Sequence, residues 1–578
     1  MAKNIFRYVP AAAVLFLPLL AASQNLNPTV EVSRQYRGTM MELEKPSVGM
    51  ALPDSVMKFD LEFDYSVFDS PFKGAYEFRP YLTDMELSPA VSPDRKLYLR
   101  AGAGYSLHPV LDLVWSPVRN EKFRLSVFGS HRSYIGNYRA LGAEAAGTGI
   151  SIARTGTGFY GYDMLSKAGV DGSYDWDSGV FSFRAGYYGT ALKDTVLTRG
   201  FNAFDLDMKI SSKLSPESHY VYDVELGYRF ADDGFRYAGA EKDHMLVHDI
   251  DFSASMGGTF RSGHTVLVDM DFDMAAYGGA YASSAGSIAF TPRYLYSSGR
   301  WNLDLGVRLA FLFRDNRPGS PAQMNMTKGQ VVYPDLKISF AAIRRHMDIY
   351  LTAGGGPDIN RYSSLLSRNR HIAPLYNSVV GAPLLDNTVE RISAAVGLKG
   401  SIASRLDYDL KAGYRNFGNA PLEVVAAGPD RLYPGLAYAA WQMFFARMEC
   451  SWTSQDVRAG GWLQYQATDA AGKNDCLIAP AALTGYLDFV YNWKERIYVG
   501  VDCGFSTARK GLLMNAAPSA AELKVPGYAD LGISAEYAFT RKFSLWLRGG
   551  NLLDMTIQHT PLYAASGIYF TAGICLNL

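Results

Sequence analysis

The chain has 578 residues, 48% of them hydrophobic and 13% aromatic, and its formal net charge is zero. Its 56 basic side chains match 56 acidic ones, so it has no basic excess to neutralise phosphates, which argues against a nucleic-acid partner. With 38 tyrosines, 55 glycines and only four cysteines, the composition suits a large β-structure with amphipathic aromatics.

Residues 1–23 read as a secretory signal peptide. Lys3 and Arg7 form the charged region, Ala11 to Leu20 the apolar region, and Ala21-Ala22-Ser23 a small-residue cleavage site before Gln24. The apolar run follows Pro10, is broken by Pro18 and is shorter than the roughly 20 residues of a membrane helix. No later stretch has the length of continuous apolar sequence that a helical span requires. An exported chain can then cross a bilayer only as a closed β-barrel, because unpaired backbone groups are too costly in lipid. The other reading at this point is a soluble secreted protein.

Residues 24–95 differ from the remainder of the chain. Pro28, Pro46 and Pro53 and mixed charges make Gln24 to Ser55 an extended tract, and Val56 to Pro80 alternates only weakly through Phe59, Leu61, Phe63 and Tyr65. This stretch is expected to be a periplasmic or lumenal N-terminal segment.

From Lys96 to Leu578 the pattern is one of strands, and about twenty-two can be placed. Residues 301–314 are the clearest: Trp301, Leu303, Leu305, Val307, Leu309, Phe311 and Phe313 face one way, and Asn302, Asp304, Gly306, Arg308 and Arg314 the other. Residues 220–230 alternate likewise, with Tyr220, Tyr222, Val224, Leu226, Tyr228 and Phe230 set against Asp223, Glu225 and Arg229. The connections alternate too. Short turns are expected at Ser298-Gly299, Arg344-Arg345-His346, Ala403-Ser404, Ser454-Gln455, Lys494-Glu495 and Arg541-Lys542, and long loops at 132–156, 315–328, 357–388, 419–435, 469–480 and 509–526. Short turns on one side and long loops on the other are the signature of an outer-membrane barrel. The fold class is therefore all-β, a large closed antiparallel transmembrane β-barrel over 96–578.

The last fifty residues carry a family likeness. Tyr528-Ala529-Asp530-Leu531 opens a strand, Thr540-Arg541-Lys542 turns it, and Leu545 to Arg548 leads into Asn551-Leu552-Leu553-Asp554. A final strand then alternates Ile568, Phe570, Ala572, Ile574, Leu576 and Leu578 with Tyr569, Thr571, Gly573, Cys575 and Asn577. This order resembles the C-terminal end of TonB-dependent outer-membrane receptors, with Leu553 where that family usually has an aromatic and Leu578 where it ends on Phe or Trp. The resemblance implies a 22-stranded barrel in the cell outer membrane of Gram-negative type, in contact with its lipid and with other outer-membrane or periplasmic proteins. Residues 24–95 are too short for that family's plug domain.

Enzyme motifs are not found: there is no His-Glu-x-x-His, no Gly-x-Ser-x-Gly and no paired cysteine spacing, so no catalytic, cofactor or metal residue is assigned. Alternation sends Cys450 and Cys503 to lipid and Cys575 to the lumen, and Cys476 falls in a loop. The lumenal pattern says more. Asp205, Asp207, Asp223, Glu225, Asp249, Asp251, Asp269, Asp271 and Asp273 all fall on inward positions of neighbouring strands, where they would repel unless compensated. They are either a cation-attracting wall or dock for a basic segment, or a solvated face neutralised by Arg308, Arg314, Lys411 and Arg415 with help from Lys209 and Arg229. Thr29-Val30-Glu31-Val32 stands where receptors of the resembled family carry their TonB box, but tracts of this β-branched kind are common and the first reading is a chance extended tract. The expected role is transport or reception through a barrel, porin-like or receptor-like, of unknown substrate. The alternative is a structural subunit of an outer-membrane multiprotein assembly.

Overall fold

A computed structural model describes residues 96–578, save 106, 147–148, 214–219, 239–240, 261–262, 280, 316–328, 345, 404, 428–430, 470–476 and 515–520. The signal peptide, the segment 24–95 with its Thr29–Val32 tract, and Cys476 lie outside the described residues.

The chain runs through β1 (Leu97–Gly104), β2 (Val110–Arg119), β3 (Phe123–Ala146), β4 (Gly149–Trp176), β5 (Gly179–Lys193), β6 (Leu197–Ser212), β7 (Tyr220–Tyr237) and β8 (Lys242–Phe260). It continues with β9 (His264–Gly279), β10 (Ser283–Ser298), β11 (Trp301–Asp315), β12 (Gln330–Ile343) and β13 (Met347–Ile359). Two short helices come next, α1 (Tyr362–Arg368) and α2 (Pro374–Val380). Then come β14 (Asn387–Ile402), β15 (Leu406–Ala427), β16 (Leu432–Thr453), β17 (Val457–Thr468), β18 (Leu483–Trp493) and β19 (Ile497–Ser506). The last strands are β20 (Arg509–Leu512), β21 (Glu522–Val525), β22 (Tyr528–Thr540), β23 (Phe543–Gly550) and β24 (Tyr569–Asn577).

Twenty-two of these strands form the barrel wall. Each pairs antiparallel with its neighbour in sequence, β19 passes directly to β22, and β24 closes on β1 through Tyr98↔Asn577 to Gly104↔Thr571. The remaining two, β20 and β21, form a small hairpin in the connection between β19 and β22, and β21 also pairs parallel with β4 at Leu523↔Ile150. Closure leaves no edge strand, and that condition lets a sheet sit in hydrocarbon.

The outward face is apolar and the inward face polar, as the alternation requires. Val307, Ile533 and Ile574 are exposed on the outside, whereas Ser534 is buried inside. Trp115, Trp301, Trp452, Trp493 and Phe539 stand outward near the short turns, and Tyr187, Phe204, Phe444, Tyr465 and Phe570 stand outward toward the opposite end. Two aromatic girdles around an apolar band mark the depth of a bilayer. Chain direction then puts the short turns at the periplasmic mouth and the long connections outside.

Two expected loops prove to be strand. Residues 132–156 are the upper parts of β3 and β4, paired as far as Ala146↔Gly149, and 419–435 are the upper parts of β15 and β16, paired as far as Ala427↔Leu432. The reason differs in the two cases. In β3–β4 small and polar residues hide the period of two, and Tyr138 stacks on Phe159 at 5.6 Å between ring centres to keep the ribbon together. In β15 residues 420–426 are buried on both faces, so Pro421, Leu422, Val424, Val425 and Ala426 are apolar without alternation, interrupted by Glu423 alone.

The position of the lipid face can be checked with a membrane-impermeant thiol reagent after substitution to cysteine. Asp304 and Arg308 should label and Val307, Ile533 and Ile574 should not; equal labelling of both sets would refute the wall assignment. The closing pair is tested by removing Ile574 to Leu578, which strips the β1 ladder from Ala101 downward. The truncated chain should be degraded or stay periplasmic, read as loss of heat-modifiable migration on gels.

Candidate lumenal site

The connection from β13 to β14 folds inward instead of projecting outward. Pro374 opens α2 with a pre-set φ, and Gly381 ends it in the left-handed region at φ 74°. Tyr362, Leu365 and Leu366 share one face of α1, and with Ile372, Ala373, Tyr376, Leu384 and Leu385 they pack on Leu197, Phe201, Phe235, Met245, Val247 and Tyr277 of β6–β9. The apolar core of this protein is thus inside the external mouth of the barrel. Each buried Leu or Phe contributes about 1.5–3 kcal/mol to holding the connection there. On its other side α2 joins the cluster of Val380, Phe417, Leu422, Trp441 and Met443 on β15 and β16.

Charge fixes the register of this packing. Arg199 of β6 and Asp233 of β7 form an ion pair at 3.1 Å with both side chains fully enclosed. Arg199 also donates to the carbonyls of Arg370 and Ile372 at 2.7 and 2.6 Å, and the Tyr362 hydroxyl donates to Asp233. Arg361 bridges Asp251 and Asp273, Ser363 donates to Asp249, and Arg370 pairs with Asp163 of β4. His371 stacks on Tyr563 of the β23–β24 connection at 3.6 Å between ring centres.

All nine carboxylates expected on the inner wall are on β6–β9, and the structure places a basic or hydroxyl group against nearly every one. Asp205 takes a forked bond from Arg229, Asp223 and Glu225 share Lys209 at 3.3 and 3.5 Å, Asp269 pairs with Arg293 at 2.9 Å, and Asp271 with Arg308 at 3.6 Å. Asp207 lies directly opposite Arg184. Asp249, Asp251 and Asp273 are those taken by the infolded connection. Arg308, Lys209 and Arg229 thus stand against these carboxylates, whereas Arg415 pairs with Glu390 and Lys411 lies opposite Arg447, both on another arc of the wall. Periodicity could place the acids but not Arg361, whose partners are distant in sequence. A usable signal did exist: Phe201, Ala203, Ala231, Phe235, Met245 and Val247 are apolar at inward positions, so something had to cover them.

Beneath the connections lies a cavity of about 470 Å³. Its walls come from β1–β5, β16–β20 and β22–β24, and its roof from Arg368 to His371 and Gln558 to Ser566. Its lining includes Arg100, Arg132, Arg370, Arg447, Arg509 and Arg548, with Asp112, Asp163, Asp502 and Asp530 among them. Several of these charges are paired: Arg447 with Glu449 at 2.5 Å and Arg509 with Glu423 at 2.7 Å, both acids outside the lining, and Arg548 with Asp502 at 3.5 Å. In the roof, burial and the nearby Arg509 and Arg370 push the His559 imidazole down to about 4. It stays neutral at ordinary pH, with Nδ1 at 3.0 Å from the Tyr528 hydroxyl. Since its folded value lies below the unfolded one of about 6.5, acidification through that interval weakens the closed roof.

Among the described residues no group of His, Cys, Asp and Glu is arranged to hold a metal ion. Cys450, Cys503 and Cys575 are not joined in disulfides.

Solved structures share this architecture. The FrpB iron transporter from Neisseria meningitidis superposes with a TM-score of 0.60 at 8% identity, over 84% of this chain and 82% of that one. The copper transporter OprC gives 0.60 at 11% identity over 84% and 80%, and the ferric-catecholate import receptor Fiu from K12 E. coli 0.59 at 10% over 84% and 82%. These are TonB-dependent outer-membrane receptors, and the present chain has the fold of their 22-stranded barrel. No protein-family model and no curated sequence matches the chain.

Asp233→Ala would leave Arg199 enclosed without its counter-charge. The seating of the 360–386 connection should weaken by about 3–5 kcal/mol, the range for a broken buried pair. External protease should then cut within 360–386 at least a hundredfold faster than in the parent. An unchanged cutting rate would show that apolar packing alone holds the connection.

Proposed function

We propose that the protein is a non-enzymatic outer-membrane barrel for transport or reception of a small polar solute. The observation that carries this reading is the roofed, charged cavity within a barrel wide enough to pass solutes. A barrel of this strand number needs an occluded lumen if the membrane is to remain a barrier. The inward connection between β13 and β14 supplies part of that occlusion. The similar structures support the reading by their own names, as iron and copper transporters and an import receptor, without specifying a solute for this chain. In this reading residues 24–95 lie at the periplasmic mouth or in the lumen, tethered beside β1 at high effective concentration. They complete the closure together with the infolded connection.

Planar-bilayer conductance tests the proposal. The full-length protein should be closed or flickering, and a form lacking 24–90 should show a large, steady conductance. A steadily open full-length barrel would mean that a separate protein closes it. That result would favour the structural subunit of an outer-membrane assembly.

A further inference from the structure

Among the described residues lining the cavity, Asp112 and Gln558 are buried with every polar side-chain atom lacking a hydrogen-bond partner. Asp112 of β2 is 1% exposed, and neither of its carboxylate oxygens has a hydrogen-bond partner. Gln558 in the roof is 2% exposed, and neither its side-chain oxygen nor its nitrogen has one. Both line the cavity. A buried polar group left without a partner costs about 1–3 kcal/mol, more when charged, so each marks a place where a ligand group would be stabilised.

The surroundings of Asp112 define which group. Arg100 of β1 is directly opposite it in the ladder, and Arg132 of β3 is its diagonal neighbour, Val110 pairing with Arg132 and Asp112 with Ser130. Arg132 lies within electrostatic range of Asp112 itself and of Arg548 of β23. A simple anion entering here meets the carboxylate, and a simple cation meets three guanidiniums. A solute with an ammonium and a carboxylate one carbon apart satisfies both, because opposed cross-strand positions are about 5 Å apart. Further along the cavity Tyr134, Tyr138 and Phe159 form an aromatic ladder, with successive ring centres 5.2 and 5.6 Å apart.

We propose that the cavity binds an α-amino acid, its ammonium on Asp112, its carboxylate on the arginines, and its side chain between Gln558 and the aromatic ladder. The proposal rests on the transport or receptor reading and names its solute class. Amide-bearing side chains would be read by Gln558 and aromatic ones by the ladder.

The test is equilibrium binding of radiolabelled L-glutamine and L-phenylalanine to the full-length protein in detergent, with acetate and methylammonium as competitors. At least one amino acid should bind saturably, and neither competitor should displace it at equal concentration. Asp112→Asn should weaken amino-acid binding by about tenfold or more. Gln558→Leu, which leaves the barrel wall untouched, should weaken glutamine more than phenylalanine. Displacement by acetate would reveal a plain anion site and overturn the proposal, as would unchanged binding in both variants. Absence of amino-acid binding, with flux of other solutes into liposomes intact, would overturn the solute class and leave the transport reading standing. Absence of any flux would overturn the transport reading itself.

Discussion

The structure depends on one constraint: in hydrocarbon every backbone N–H and C=O must find its partner within the protein. A sheet meets it only by closing, and here closure is the ladder between β1 and β24. Once the sheet is closed, the period of two decides everything about the wall. Each residue faces lipid or lumen according to parity, and a slip of one residue would exchange the two faces along a whole strand. The apolar girdled exterior and the charged interior are two readings of the same alternation.

Closure also creates a problem of charge. Nine carboxylates on β6–β9 are confined to a concave surface, where like charges on adjacent strands repel. Wall arginines and Lys209 stand against most of them from within β5–β11. The rest are met by Arg361 and Ser363, which arrive from a connection more than a hundred positions away along the chain for two of the three contacts. The acidic surface is therefore part of the seat for an infolded connection, and the apolar patch above it is the other part. Both are needed, because apolar packing gives affinity without register, and the Arg199–Asp233 pair with its carbonyl acceptors gives register.

The wall was legible in the sequence because lipid on one side and water-accessible lumen on the other impose a strict two-residue rule. Each of the twenty-two wall strands overlaps a stretch that the alternation marks. Reading failed wherever the environment ceased to be two-sided. Residues 420–426 of β15 are enclosed on both faces, so no period marks them, and 132–156 stand beyond the bilayer, where outward positions need not be apolar. The cavity was beyond reach for another reason. Its lining is drawn from a dozen separate stretches, and Asp112, Gln558 and Arg548 acquire meaning only after closure brings β2, β23 and the roof together.

The infolded connection has a mechanical consequence. A closed sheet resists stretching along its hydrogen bonds, but it can flatten from a circle to an ellipse at small cost because neighbouring strands can pivot. The segment 360–386 spans that cross-section. It is fastened to β6–β9 by Arg361 and the Arg199–Asp233 pair, to β15 and β16 by α2, and to the β23–β24 connection through His371 on Tyr563. It works as a tie-rod joining three arcs of the wall, so the element that obstructs the passage also sets the roundness of the tube. Any movement that clears the lumen removes the brace, which makes patency and lateral compliance in the bilayer two expressions of a single displacement.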